Sequence, residues 1–127
     1  MVERRRLHRF VDKARVREAI AAAERVTSVP IAVSIAPYFW GNVRRTAERA
    51  FRKHRGVLVF VVPSRREFAV LGDAAVHDAL GQSGWNALAA TIEEHFRSGD
   101  PTRGLELAID QLGLRLAKHF PPLSPRA

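Results

Sequence analysis

The sequence predicts a small α/β domain, with two parallel strands and one antiparallel strand in a mixed sheet and α-helices on both faces, a three-layer sandwich. Three observations carry that reading. The run Val57 to Val62 is apolar at every position, so both of its faces need cover. An alternating segment, Ile31 to Ala36, precedes it with a helical pattern between the two, the order of a right-handed parallel crossover. The turn Pro63-Ser64-Arg65-Arg66 then leads straight into a third apolar run, a connection short enough only for antiparallel return.

The elements follow in order. A helix is predicted from about Asp12 to Val26, with Val16, Ile20 and Ala23 on its dry side, Lys13, Arg17, Glu24 and Arg25 on its wet side, and Asp12 as N-cap. Pro30 stops it, because proline has no N–H and biases Val29 toward extended backbone. In the first strand Ile31, Val33 and Ile35 form a large-residue face, and Ala32, Ser34 and Ala36 a small-residue face.

Pro37-Tyr38-Phe39-Trp40-Gly41-Asn42 reads as a loop, with Asn42 capping a helix over about Val43 to His54. Its dry side carries Val43, Ala47, Ala50 or Phe51, and His54; its wet side carries Arg45, Arg49, Arg52 and Lys53. Gly56 closes the helix, and the antiparallel strand runs from Glu67 to Leu71. Beyond Gly72 the pattern is helical throughout. A short helix runs from Asp73 to about Leu80, broken by Gly81, and a longer one from Ser83 to Phe96. Asp100-Pro101 opens a last helix that turns Leu105, Ala108, Ile109, Leu112 and Leu116 inward.

A chain of 127 residues reads as one domain, its core spanning about residues 10–121, with a basic segment 1–9 and a proline-rich tail 121–127. No apolar run reaches the length of a membrane span, and the basic start is followed by no apolar h-region, so a cytoplasmic or membrane-peripheral location is expected. The absence of cysteine excludes disulfides, thiolate nucleophiles and cysteine metal sites. Charge is placed unevenly. Residues 1–66 hold 16 Lys and Arg against 5 Asp and Glu, whereas residues 67–127 hold 5 against 8. Such asymmetry bears on anionic partners rather than on fold.

Gly56-Val-Leu-Val-Phe60, an arginine-rich turn, and Phe68-Ala-Val-Leu-Gly-Asp73 with His77, Gly81 and Trp85 together resemble the TPM domain family. Thr27-Ser28, His95-Phe96-Arg97, Gly99, Gly104-Leu105 and His119-Phe120-Pro121 extend the resemblance over about residues 10–121. It is closest to the small soluble bacterial members, which are related to thylakoid TPM proteins described as acid phosphatases. The resemblance implies a calcium or other divalent site at the loop end of the sheet in some members. In others it implies an accessory role beside membrane complexes, often with membrane proteins of LemA type. Metal-binding members carry Ser-Gly-Glu before the first strand and acidic residues in the turn between strands two and three. Here those places hold Ser28-Val29-Pro30 and Pro63-Ser64-Arg65, so both acidic positions are lost and one is basic. A calcium ion needs six to eight oxygen ligands, several of them carboxylates, and guanidinium groups repel it.

The remaining constellations divide between chemistry and scaffold. Asp73 and His77, at i and i+4, read as a metal pair or an oriented base, or as an N-cap aspartate bonded to a histidine. Ser64 with His77 and Asp73 supplies the letters of a triad without the glycine-flanked elbow of a nucleophile. Trp85 and Phe96 read as core. Three consecutive aromatics, Tyr38 to Trp40, cannot all point inward, and they share the carboxyl ends of the strands with Arg65 and Arg66.

The function expected is therefore a non-enzymatic accessory module for protein interaction, without cofactor, degenerate at the family's metal position and serving a membrane-associated or cell-envelope complex. Its contact residues are Tyr38, Trp40, Arg65 and Arg66. One alternative is a divalent-metal phosphatase relying on Asp73, His77 and Asp78. A second is binding to anionic lipid, or less readily nucleic acid, through Arg45, Arg49 and Arg52, with Arg4, Arg5, Arg6 and Arg9 as further basic groups.

Overall fold

The computed structural model describes residues 11–36, 39–52 and 55–123, which form an α/β sandwich. Helix α1 (Lys13–Val26) is followed by β1 (Ile31–Ile35), α2 (Val43–Phe51) and β2 (Val57–Val62). A 3-10 turn (Pro63–Arg65) then leads to β3 (Glu67–Gly72), α3 (Ala74–Ser98) and α4 (Pro101–Ala117). The sheet order is β1-β2-β3. β1 runs parallel to β2 with Ile31 opposite Val57, and β3 runs antiparallel with Val70 opposite Val59. Both pairings are those the connection lengths predict.

β2 is central, and all six of its residues are buried, as an uninterrupted apolar run demands. Alternation splits its side chains between two cores. Val57, Val59 and Val61 join Ile31 and the inward faces of α1, α3 and α4. Phe60 and Val62, with Ala69, meet Val43 and Ala47 of α2 on the other face. Helices thus cover both sides, with α2 alone in its layer among the described residues. Leu105, Ala108, Ile109, Leu112 and Leu116 of α4 are all buried, so this helix is the spine of the three-helix layer.

Caps were legible in the residues. Asp12 accepts from the N–H groups of Ala14 and Arg15, Asn42 from Arg45, and Asp100 from Arg103. One boundary differs from expectation. α2 ends at Phe51, and Lys53 and His54 lie outside the described residues. The break expected at Gly81 is present: its backbone (φ 67°, ψ 171°) is non-helical and kinks α3 between two helical segments. A glycine tolerates that conformation without a Cβ clash, so the chain changes direction without a loop.

Gly56 anchors the amino end of β2. Its φ is 78°, and a Cβ there would lie 2.2 Å from the carbonyl oxygen of Pro30. Its N–H donates to Asp73 Oδ2 (2.9 Å), while Asp73 N–H donates back to the Gly56 carbonyl (3.0 Å). This knot ties the start of β2 to the end of β3. The buried Thr27 holds the C-terminal segment in a similar way: its hydroxyl donates to the Phe120 carbonyl (2.6 Å), as does the Ser28 N–H (3.1 Å).

Candidate functional site

The carboxyl ends of β1 and β2 open on the same side of the sheet, where the 39–42 loop and the Pro63–Arg65 turn meet. After Pro63 starts the turn, Arg66 closes it in the left-handed region (φ 54°, ψ 36°). A non-glycine residue there costs about 1–2 kcal/mol, a strain that the β2–β3 ladder on either side offsets. The reversal sends the two arginines into different surroundings. Arg65 lines an open pocket of about 400 Å³ with Phe39, Trp40 and Ser64. Arg66 lines another, of about 470 Å³, with Glu67, Phe68, Glu93, Phe96 and Arg97.

Arg65 acts as a clamp. Its Nη1 donates to the carbonyl oxygens of Gly41 (2.6 Å) and Phe39 (3.3 Å). Its Nη2 pairs with Glu67 Oε1 (2.6 Å). One planar guanidinium therefore holds the backbone on both sides of Trp40, a geometry that the point charge of a lysine does not reproduce. Phe39 turns inward and meets Phe60 edge-on, with ring centroids 5.6 Å apart. Trp40 turns outward and is 97% exposed. Tyr38 lies outside the described residues. Of the four expected contact residues, the structure thus brings Trp40 and Arg65 together and sets Arg66 in the separate pocket beside Phe68 and Phe96.

The oxygen atoms around Arg65 bear on the divalent ion that the resemblance implies. Two carbonyls and a carboxylate are hard donors, the kind calcium takes, but a guanidinium already satisfies them. Among the described residues no group of three or more His, Cys, Asp or Glu side chains is gathered so as to hold a metal ion. Among the described residues, the oxygen donors at this edge are thus engaged by Arg65.

The second constellation lies at the other end of the sheet. Asp73 Oδ1 accepts from the Val76 N–H (3.0 Å) and Oδ2 from that of Gly56, so both oxygens serve the scaffold. The expected Asp73–His77 side-chain bond is corrected: His77 Nδ1 instead accepts from the indole N–H of Trp85 (3.1 Å). Asp78 is exposed on α3. Ser64 is separated from Asp73 and His77 by the length of β2, about 17 Å for its five residue steps, so the triad letters do not assemble.

The basic stripe is continuous. Arg45, Arg49 and Arg52 are all exposed on the side of α2 away from the sheet. Arg44 pairs with Glu48 one turn on (3.6 Å). The residues Arg4, Arg5, Arg6 and Arg9 lie outside the described residues.

Sequence reasoning missed several participants. Glu67, the partner of Arg65, has no spacing signal, because the left-handed Arg66 between them redirects the chain. The Phe68–Phe96 contact (centroids 5.8 Å) needed the α3–β3 packing to appear. His77 and Trp85 would stand about 12 Å apart along a straight helix, and the Gly81 kink brings them together.

Residues 9–115 match the TPM domain. The chain belongs to the TPM domain family. This TPM domain is also similar in structure to the BA42 protein of the psychrophilic bacterium Bizionia argentinensis, solved by NMR, at a TM-score of 0.78 and 29% identity. The match covers 88% of this chain and 85% of that one. No curated protein matches it. Among the described residues of this TPM domain, no helix is long and apolar enough to cross a membrane.

Proposed function

We propose that this TPM domain is a non-enzymatic interaction module, whose contact surface is the carboxyl edge of the sheet around Trp40 and Arg65. The observation that carries the reading is the clamp: a fully exposed indole whose flanking carbonyls are both fixed by one arginine. Holding a large amphipathic side chain ready in solvent lowers the ordering cost of a contact, which is how aromatic anchors act at interfaces. The same guanidinium stands where a metal-dependent phosphatase would need a cation. Asp73, His77 and Asp78 are spent on a cap, an indole and solvent respectively.

A protein partner in a membrane-associated or cell-envelope complex, of LemA type where the family precedent holds, suits such a surface. The test uses the full chain as bait in matched captures with wild type, Trp40→Ala and Arg65→Ala. A partner retained by wild type and lost from both variants supports the reading. Phosphomonoester turnover that chelation abolishes, or a rise in melting temperature with millimolar calcium, refutes it.

A further inference from the structure

We infer that the α2 layer is a docking surface for an anionic lipid bilayer, with Trp40 as the interfacial anchor and the Arg45, Arg49, Arg52 stripe as the headgroup contact. Three observations place these groups on one side of the molecule. The stripe recurs at four- and three-residue intervals, so it runs about 10 Å along a single line of the helix. Its opposite face, Val43 and Ala47, is buried on the sheet, which turns the arginines outward. Trp40 stands at the amino end of the same helix, and its neighbour Phe39 packs into the α2-side core, so the exposed indole belongs to that layer too.

Charge complementarity identifies the occupant. Between residues 39 and 66 the chain carries eight Lys and Arg against a single acidic residue, Glu48. Arg45, Arg49, Arg52 and the exposed Arg55 have no carboxylate partner among the described residues. The opposite layer, α1, α3 and α4, is balanced, with seven Asp and Glu against seven Lys and Arg, so the excess positive charge lies on the α2 side. The chain therefore has a polarity that orients α2 toward a negative plane.

A bilayer fits better than a nucleic acid. The solvent face of α2 offers no Asn or Gln to read a base edge, and one isolated indole makes no stacking platform. A tryptophan beside arginines is the pairing that settles at a headgroup boundary, the ring at the interface and the guanidinium groups at the phosphates. Nothing here depends on the protein partner proposed above, and protein-free vesicles separate the two readings.

The test is flotation of the full chain with unilamellar vesicles of phosphatidylcholine, with or without phosphatidylglycerol, at low and high salt. Binding is expected only with phosphatidylglycerol, weakening steeply as salt rises. Arg45→Ala/Arg49→Ala/Arg52→Ala should lower the partition coefficient on the order of 100-fold, at about fivefold per arginine. Trp40→Ala should lower it on the order of tenfold. Trp40 emission, read in a Trp85→Phe background, should shift to the blue on vesicle addition.

Arg97→Ala/Arg115→Ala, which removes exposed charges from the opposite layer, should leave binding unchanged. Equal loss in that control would overturn the inference, since net charge alone would then explain the binding. No vesicle binding, an unmoved Trp40 emission, or tighter binding to a DNA duplex at the same salt would also overturn it.

Discussion

Asp73→Ala separates scaffold from chemistry at the position where a reactive carboxylate was conceivable. The substitution removes two acceptors at once, from the Val76 N–H at the start of α3 and from the Gly56 N–H at the start of β2. Loss of an aspartate cap costs about 1 kcal/mol. The Gly56 N–H sits in a buried residue, and leaving it unpaired adds about 1–3 kcal/mol. The expected total is therefore about 2–4 kcal/mol, which at an m-value of about 2 kcal/mol per molar urea lowers the midpoint by about 1–2 M.

Asp73→Asn should fall between the two. Its oxygen can keep the cap, but its NH2 then faces the Gly56 N–H and restores nothing there. Urea titrations followed by far-UV circular dichroism measure all three proteins. A destabilisation of Asp73→Ala below about 0.5 kcal/mol, the level of an ordinary surface change, would refute the reasoning. It would return Asp73 to the list of groups free for other work.

Three further outcomes are expected. Gly56→Ala should cost about 3 kcal/mol or more, or about 10 °C or more in Tm, because a left-handed backbone and a Cβ driven onto the Pro30 carbonyl act together; calorimetry reads it. Arg65→Ala should cost only about 0.5–1.5 kcal/mol, because the side chain is partly exposed. It should nonetheless lower the fluorescence anisotropy of Trp40 measured in a Trp85→Phe background, and Arg65→Lys should not restore it. The third concerns pH. The Glu106 carboxyl is held below its ordinary 4.5, chiefly by its side-chain hydrogen bonds with Arg15 and against the cost of its burial, with the charges of Arg15 and Arg103 adding to the effect. A depressed carboxylate stabilises the fold above its unfolded pKa and loses that contribution as pH falls through the folded value. The stability advantage of wild type over Glu106→Gln should therefore be present at neutral pH and vanish on strong acidification, as Tm measured against pH will show.

The layering has a consequence for where function can reside. Three helices share one core, and their inward residues are committed to packing. The α2 layer is thin, resting on Val43 and Ala47, and it leaves a basic face and the edge loops to solvent. Surface held by few buried contacts is where recognition can change without loss of the fold.

Much of this was written locally. The apolar run of β2, the alternation of β1, the inward set of α4 and the capping aspartates each follow from periodicity or from one residue's preference, and all read correctly from the chain. So did the need for one of the loop aromatics to face water. What no local pattern determined was which polar groups would meet. Arg65 bonds carbonyls 24 and 26 residues away, Asp73 holds a glycine 17 residues away, and His77 finds Trp85 only through a kink. Periodicity reports which side of an element is dry, a property that repeats every two or 3.6 residues. A hydrogen bond depends on ångström-scale placement across a turn, and that placement exists only once the sheet has closed and the layers have packed.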